Sequence, residues 1–129
     1  MKFQPDQLAG VNAVSRLQGR KVWVHDVPFA HSVLVPWRGE VQPWAADEAG
    51  QLTASHFGAL LAWQPELVIF GSGARLHFIS PLHYRALIEH RIGIETMDTA
   101  AACRTFNVLA HEGRKVVGAL LLDADMAAA

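Results

Sequence analysis

Cysteine and tyrosine are scarce in this sequence, and it has no large excess of either charge. It contains one cysteine and one tyrosine, and its 11 basic residues are nearly balanced by 12 acidic ones. A single cysteine cannot form an internal disulfide, which favours a reducing compartment and predicts a cytoplasmic protein. Balanced charge leaves neither half of the chain strongly basic, so binding to a nucleic-acid backbone is not expected.

Long apolar segments are absent as well. The longest strand-like apolar run covers residues 116–122, far fewer than the roughly 20 residues that cross a bilayer. The amino terminus reads Met-Lys-Phe-Gln-Pro-Asp-Gln-Leu and lacks the apolar centre of a signal peptide. We therefore expect no membrane insertion. The 129 residues, 51% of them hydrophobic, predict a single domain over residues 1–129, with a core at about 11–122 and flexible termini.

The first third of the chain predicts antiparallel strands. Residues 12–45 are rich in Val, Trp and Phe and are interrupted by turn-forming Gly, Asp and Pro residues. Short β-branched runs predict strands at residues 21–25 and 31–35. A third strand is predicted at residues 41–44, where Pro43 restricts it to an edge or a bulge.

Helix signals begin in the middle of the chain. Thr53 is expected to open a helix, whose apolar face holds Phe57, Leu60 and Leu61. Residues 67–70 are then apolar without alternation, so both faces of this strand should be buried. The next helix should begin at Ser80, because serine is a favoured N-cap and Pro81 suits the first helical position.

A second strand-helix unit follows. Residues 92–97 predict a strand, and Asp98 is expected to cap the last helix. The apolar arc of that helix should face the sheet and consists of Ala102, Cys103, Phe106, Leu109 and Ala110. A closing strand is predicted at residues 115–122, followed by a frayed tail at 123–129.

Two strand-helix units after antiparallel strands predict an α/β fold. We expect a three-layer domain with a mixed central sheet, in which N-terminal antiparallel strands are followed by two strand-helix crossover units. The strands at residues 67–70 and 92–97 should be parallel neighbours, because a helix connects them by a crossover.

At these residues the chain resembles a known family. The motifs that carry the similarity are Gly71-Ser-Gly73, Glu95-Thr-Met-Asp-Thr99, Ala-Ala-Ala-Cys-Arg-Thr-Phe-Asn107, His111-Glu-Gly-Arg114 and Gly118-Ala119. They are similar to the domain of unknown function 498, a family that includes the mitochondrial respiratory complex I assembly factor three. The resemblance covers roughly residues 32–122. It implies a three-layer α/β fold with a mixed sheet and, for the mitochondrial member, a non-enzymatic assembly role; no activity follows for bacterial members.

Two positions depart from the family pattern. The family usually has glycine at the helix end where this chain has Arg91, and glycine there permits a left-handed turn without strain. The helix is therefore expected to run longer or to end differently. Ser72 replaces the more common threonine, which is a mild change.

A group of residues is expected to converge at the carboxyl edge of the sheet, where open α/β folds bind ligands. The candidates are Gly71, Ser72, Gly73, Asp98, Thr99 and Arg104. Backbone amides, hydroxyls and a guanidinium could together hold a small polar ligand or an acidic side chain of a partner. The glycines also suit a tight strand-to-helix turn, however, and a short glycine motif alone favours that structural interpretation.

Other reactive residues give no catalytic or metal-binding pattern. Cys103 shares the apolar arc of its helix with Phe106, which favours an inert core thiol. The chain has seven histidines; His83 and His90 lie about 10 Å apart along a helix, too far for one zinc ion. No metal and no cofactor are expected. Glu95 and Asp98 are paired carboxylates without an identifiable partner for acid–base chemistry.

The histidines and tryptophans of the antiparallel half leave further alternatives open. His25 and His31 are expected on separate strands across a turn, which permits contact between them but does not indicate it. Trp23, Trp37 and Trp44 are either an interface patch or ordinary sheet-face residues.

Two classes of function remain. The first is a non-enzymatic protein-binding or assembly factor, as the family resemblance implies, whose partner is another protein; self-association stays open. The alternative is a small-molecule or anion-binding protein, enzymatic or not, that uses the loops after the strands ending at Phe70 and Met97.

Overall fold

A small antiparallel sheet opens the part of the chain that the computed structural model describes, residues 9–128. Its strands are β1 (Val14–Gln18), β2 (Lys21–Val24) and β3 (Val27–Phe29). His25 and Asp26 form the second turn with φ angles of 49° and 65°, the left-handed conformation of a tight hairpin. The prediction that His25 and His31 lie on separate strands across a turn is therefore wrong, because His25 is a turn residue, β3 lies between the two, and His31 precedes the next strand.

The central sheet has five strands in the order β5-β4-β8-β6-β7. They are β4 (Val33–Pro36), β5 (Gln42–Pro43), β6 (Leu67–Gly71), β7 (Gly93–Met97) and β8 (Val116–Leu120). β6 is parallel to both β7 and β8, whereas β4 is antiparallel to β5 and β8. The predicted mixed sheet and the parallel pairing of β6 with β7 are both confirmed. Pro43 lies on edge strand β5, as its missing N–H requires.

Three α-helices complete the described part of the chain: α1 (Ala54–Gly58), α2 (Arg85–Glu89) and α3 (Thr99–His111). A 3-10 turn, Ala59–Trp63, continues α1, and another, Pro81–Tyr84, leads into α2. The Ser80 hydroxyl accepts the N–H of Leu82 at 3.3 Å, which confirms Ser80 as the predicted cap. The crossover helix is shorter than its sequence pattern indicates, since only its second half is α-helical.

Both faces of the central sheet are covered, which gives the predicted three layers. Along β6 the side chains alternate: Leu67 and Ile69 pack in the core shared with α3 and the small sheet, and Val68 and Phe70 pack in the core shared with α1 and α2. The three phenylalanines Phe57, Phe70 and Phe106 are fully buried. Burial of each such side chain contributes about 1.5–3 kcal/mol.

The described part of the C-terminal segment is packed rather than frayed. A 3-10 turn covers Ala124–Ala128, and Met126 is buried in the core on the α3 side of the sheet. The Arg20 guanidinium donates to the carbonyl of Leu122 at 2.9 Å just before this turn. The expectation of a frayed tail missed this packing because Met126 is the only large apolar residue of the segment.

Helix α2 ends at a left-handed residue although that residue is Arg91. Its φ is 59°. The Arg91 N–H donates to Ile88 O at 3.0 Å and the Ile92 N–H donates to Leu87 O at 2.8 Å, which is the bond pattern of a Schellman cap. The helix therefore does not run longer, and Arg91 takes the conformation in which the family usually has glycine.

Candidate functional site

The two loops at the carboxyl edge of the sheet are joined to each other by hydrogen bonds. We call Gly71, Ser72 and Gly73 the glycine loop. The Gly73 N–H donates to Thr99 Oγ1 at 2.9 Å, and the Thr99 N–H donates to Gly73 O at 2.9 Å. Thr99 Oγ1 in turn donates to Leu121 O at 2.7 Å. The structure thus brings the glycine loop and Thr99 together, and it uses their donors within the protein.

Ser72 is fully buried and fixes the chain that follows the glycine loop. Its N–H donates to Met97 O at 2.8 Å. Its hydroxyl lies 2.7 Å from Arg75 O and 3.2 Å from Met97 O, and it accepts the N–H of His77 at 2.9 Å. The hydroxyl is therefore engaged on both its donor and its acceptor side and is not directed at solvent.

An internal carboxylate lies against the glycine loop. The Ala74 N–H points at both carboxylate oxygens of Asp123, each at 3.3 Å. Asp123 is buried at this place. A glycine-rich turn after a strand is a common place for an anion to bind, and in this fold the chain supplies the anion itself. No sequence signal pointed to Asp123, because its partner lies far away along the chain.

Asp98 precedes helix α3 at the same edge, and Arg104 lies further along that helix. Asp98 Oδ1 accepts the N–H of Ala101 at 2.8 Å, so the predicted helix cap is confirmed. Asp98 is half-buried and Arg104 is exposed on α3. Neither residue is placed between the glycine loop and Thr99, because Gly73 bonds directly to the hydroxyl and to the N–H of Thr99. Glu95, the other carboxylate of the suggested pair, is exposed on β7.

Cys103 is a core residue. It has no exposed surface and packs with Phe106 on the inner face of α3. Burial raises the pKa of the Cys103 thiol from 9.0 to about 12, although the nearby Arg104 guanidinium acts in the opposite direction. The thiolate required for nucleophilic chemistry is therefore strongly disfavoured at neutral pH.

Two cavities lie near this edge. One, of about 340 Å³, is bordered by Gly73, Ala74, Ala100 and Met126, and its walls are mainly apolar. The other, of about 300 Å³, is bordered by polar side chains that include Glu48, His77, Asp123 and Asp125. Within residues 9–128, no group of three or more His, Cys, Asp and Glu side chains is placed to hold a metal ion.

The tryptophans do not form one exposed patch. Trp44 is 4% exposed and packs edge-on against Phe57 and Phe70, with ring centres 5.8 and 5.9 Å apart. Trp23 lies half-buried under the Arg16 guanidinium, 4.7 Å from the ring centre. Trp37 is half-buried between the two cores. The structural alternative therefore applies to Trp44, and the suggestion of a shared tryptophan surface is not supported.

Exposed apolar side chains do occur, in a segment that the sequence patterns did not single out. Between the glycine loop and α2, Phe78 is 79% exposed, Leu82 is 69% exposed and Leu76 is 50% exposed. In the sequence this segment is a stretch of apolar residues with neither strand alternation nor helical spacing, so it did not predict a regular element. We call residues 74–82 the apolar loop.

Solved bacterial structures share this fold. A crystal structure of a protein from Bordetella parapertussis superposes with a TM-score of 0.84 at 35% identity, covering 91% of this chain and 100% of that one. A Bordetella pertussis protein described as a Mth938-like domain gives a TM-score of 0.82 at 30% identity, covering 95% of this chain and 93% of the other. The α/β fold predicted from the sequence is therefore confirmed.

Several vertebrate relatives are named as assembly factors. The NADH dehydrogenase (ubiquinone) 1 alpha subcomplex assembly factor 3 of Bos taurus is 37% identical over 96 residues, which are 73% of this chain and 50% of the bovine protein. The Mus musculus protein of the same name is 34% identical over the same shares. The chain thus spans about half the length of these relatives. Its residues 14–121 match the family described as proteins of unknown function, DUF498/DUF598. The chain belongs to the DUF498/DUF598 family.

Proposed function

We propose that this protein is a non-enzymatic protein-binding factor that assists the assembly of another protein. Relatives named as assembly factors support the proposal, and they extend well beyond the part that this chain matches. The expected partner is another protein, and a cytoplasmic location belongs to the same proposal because a single cysteine suits a reducing compartment. Across the described residues, no helix is long and apolar enough to cross a membrane.

The observation that carries the proposal is the contrast between polar and apolar groups at the carboxyl edge of the sheet. The polar groups that a catalytic or anion site would need are engaged internally, through Ser72, Thr99 and Asp123. The one thiol, Cys103, is buried. Beside the half-buried Asp98 and the polar cavity at His77, the edge presents to solvent the apolar loop, whose large side chains are exposed. Exposed apolar clusters rimmed by polar residues mark interaction surfaces.

The alternative function is small-molecule binding at the loops after the strands that end at Phe70 and Met97. The cavity beside Gly73 and Ala74 favours it, and the mainly apolar walls of that cavity suit an apolar molecule rather than an anion. Gly71, Ser72, Gly73, Asp98, Thr99 and Arg104 remain the candidate residues for this alternative. An anion would first have to displace the Asp123 carboxylate from Ala74.

The two functions are separated by one experiment. The tagged full chain is expressed at native level in its host and purified. Bound proteins are cross-linked to it and quantified by mass spectrometry. Bound small molecules are identified by native mass spectrometry. We expect a stoichiometric protein partner that binds again when both proteins are purified. A retained small molecule without a protein partner would contradict the proposal, and a loss of that molecule in Arg104→Ala would support the alternative.

A further inference from the structure

The apolar loop exposes three large apolar side chains within nine residues. Leu76, Phe78 and Leu82 point into solvent, whereas Ile79 between them packs against the core that contains Phe57 and Phe70. Inward packing at one position fixes the backbone and forces the neighbouring side chains outward. Three large apolar side chains that are exposed within one short segment indicate an interaction surface more strongly than single exposed residues do.

The loop is held in place before any partner arrives. The Ser72 hydroxyl bonds the backbone of Arg75 and His77, and the Ser80 hydroxyl bonds the N–H of Leu82. After the loop, Tyr84 packs edge-on against Phe57 with ring centres 6.0 Å apart. A preformed loop loses little conformational entropy on binding, so its exposed side chains retain more of their contact energy as affinity.

The loop segment itself carries basic side chains and no acidic ones. Residues 67–88 contain no Asp or Glu, whereas Arg75 and Arg85 are interleaved with the exposed apolar residues and accompanied by His77 and His83. Arg75 is exposed, and Arg85 is 70% exposed at its side chain with only a long, 4.0 Å ion pair to Glu89. Acidic side chains lie at the His77 side of the loop, where Glu48, Asp123 and Asp125 border the same cavity. The basic groups beside the exposed apolar side chains are therefore Arg75 and Arg85, and a partner's acidic groups are expected opposite these two.

We propose that the apolar loop is the docking surface for an acidic polypeptide segment whose own apolar side chains cover Phe78, Leu76 and Leu82. This inference rests on the proposed protein-binding function and gives it a location and a class of partner. Phe78 is the central anchor, since aromatic and arginine side chains dominate the binding energy of most interfaces. Arg75 and Arg85 give the partner its orientation and its association rate.

Two other occupants suit the surface less well. Each basic residue near an anionic membrane contributes about 1 kcal/mol to binding, and the segments that bind such membranes carry clusters of 4–8 basic residues. Arg75 and Arg85 are fewer than this. A second copy of the chain joined by a two-fold axis would place the same patch on itself. Such a dimer would bring a second Arg75 and a second Arg85 into the same interface, which adds like charge to it.

The test selects peptides on the immobilised full chain from a random 12-residue phage library and measures the affinity of the synthetic winners. We expect the winners to be rich in Asp and Glu and to carry Leu, Phe or Trp. Phe78→Ser should weaken binding by at least about tenfold, and Arg75→Ala should weaken it by a few fold and reduce its salt dependence. The matched control is Val108→Ser, because Val108 is 60% exposed on α3, and it should change the affinity by less than about twofold.

Several results would overturn the inference. The selection could yield no acidic peptides, or Phe78→Ser could bind the selected peptides as tightly as Val108→Ser does. The chain could instead bind phosphatidylserine vesicles, or form a dimer in light scattering, and lose that binding or that dimer in Phe78→Ser. Melting temperatures of the variants verify that each remains folded. Host capture separates the two proposals: a partner retained by Phe78→Ser contradicts only the docking surface, and a wild-type chain without a partner contradicts the protein-binding function itself.

Discussion

The carboxylate of Asp123 occupies the space in which any side chain at Gly73 would lie. A Cβ at Gly73 would overlap this carboxylate, and the φ of Gly73, 108°, is one that residues with a side chain rarely adopt. The glycine loop is therefore closed by the C-terminal segment. Glycine is needed here for a packing reason, and this agrees with the structural interpretation of the motif.

Replacing Gly73 by Ala should lower the stability of the fold by about 1–3 kcal/mol, because backbone strain and overlap with Asp123 act together. Gly113→Ala is the matched control. Gly113 has a φ of 85° but no atom near its would-be Cβ, so it tests the backbone strain alone. Urea unfolding of both variants measures the difference. Equal losses in the two variants would show that Asp123 does not restrict Gly73.

Asn107 joins helix α3 to strand β1. Its side chain accepts the N–H of Val14 and donates to the carbonyl of Val14, both at 2.8 Å, in the buried interior. Asn107→Ala should cost about 1–3 kcal/mol, since it leaves both backbone groups of Val14 without a partner. The neighbouring exposed residue provides the control: Val108→Ala should change the stability by less than about 0.5 kcal/mol. Similar effects of the two changes in denaturant unfolding would refute this role for Asn107.

Arg91→Gly should stabilise the protein by about 0.5–1 kcal/mol. A left-handed L-residue costs about 1–2 kcal/mol, and the extra chain entropy of glycine in the unfolded state offsets part of that gain. Arg91→Ala keeps the left-handed strain and removes the guanidinium, so it should bring no such gain. Thermal unfolding of the two variants decides the matter. A gain shared by both would indicate that loss of the charge, rather than relief of strain, is responsible.

Cys103 should react slowly with a thiol reagent in the folded protein at pH 7 and rapidly after denaturation, because it is buried as a neutral thiol. Fast labelling of the folded chain would contradict the core assignment. The pKa of this thiol is raised from 9.0 to about 12 in the fold, so its contribution to stability is complete below pH 9. That contribution is lost as the pH rises from 9 toward 12. Cys103→Ala should lack this part of the alkaline loss.

Local signals in the sequence predicted much of the fold. The unbroken apolar run of β6, the cap residues Ser80 and Asp98, and the inner arc of α3 each depend on neighbours within a few positions. Strand β1 was not predicted, because its residues Ser15, Arg16 and Gln18 dilute the apolar alternation. Its place is set by pairing with β2 and by the bond from Asn107.

The candidate site was less predictable. The sequence indicated that the glycine loop and Thr99 would meet, because the loops leave neighbouring parallel strands. It could not indicate that Asp123 would lie against the glycine loop, since the two are brought together only by the completed sheet. The exposure of Phe78 was equally hidden, because a phenylalanine is ordinarily expected inside a protein.

Chemical-shift mapping tests most directly the claim that the carboxyl edge of the sheet binds protein through the apolar loop. The ¹⁵N-labelled full chain is titrated with the tightest acidic peptide recovered by selection, and amide shifts are followed in two-dimensional spectra. We expect the largest changes at residues 75–84, and small changes at Gly73, Ala74 and Thr99, whose amides are bonded within the protein. The largest changes at those three amides instead would place the ligand in the glycine loop and contradict binding through the apolar loop.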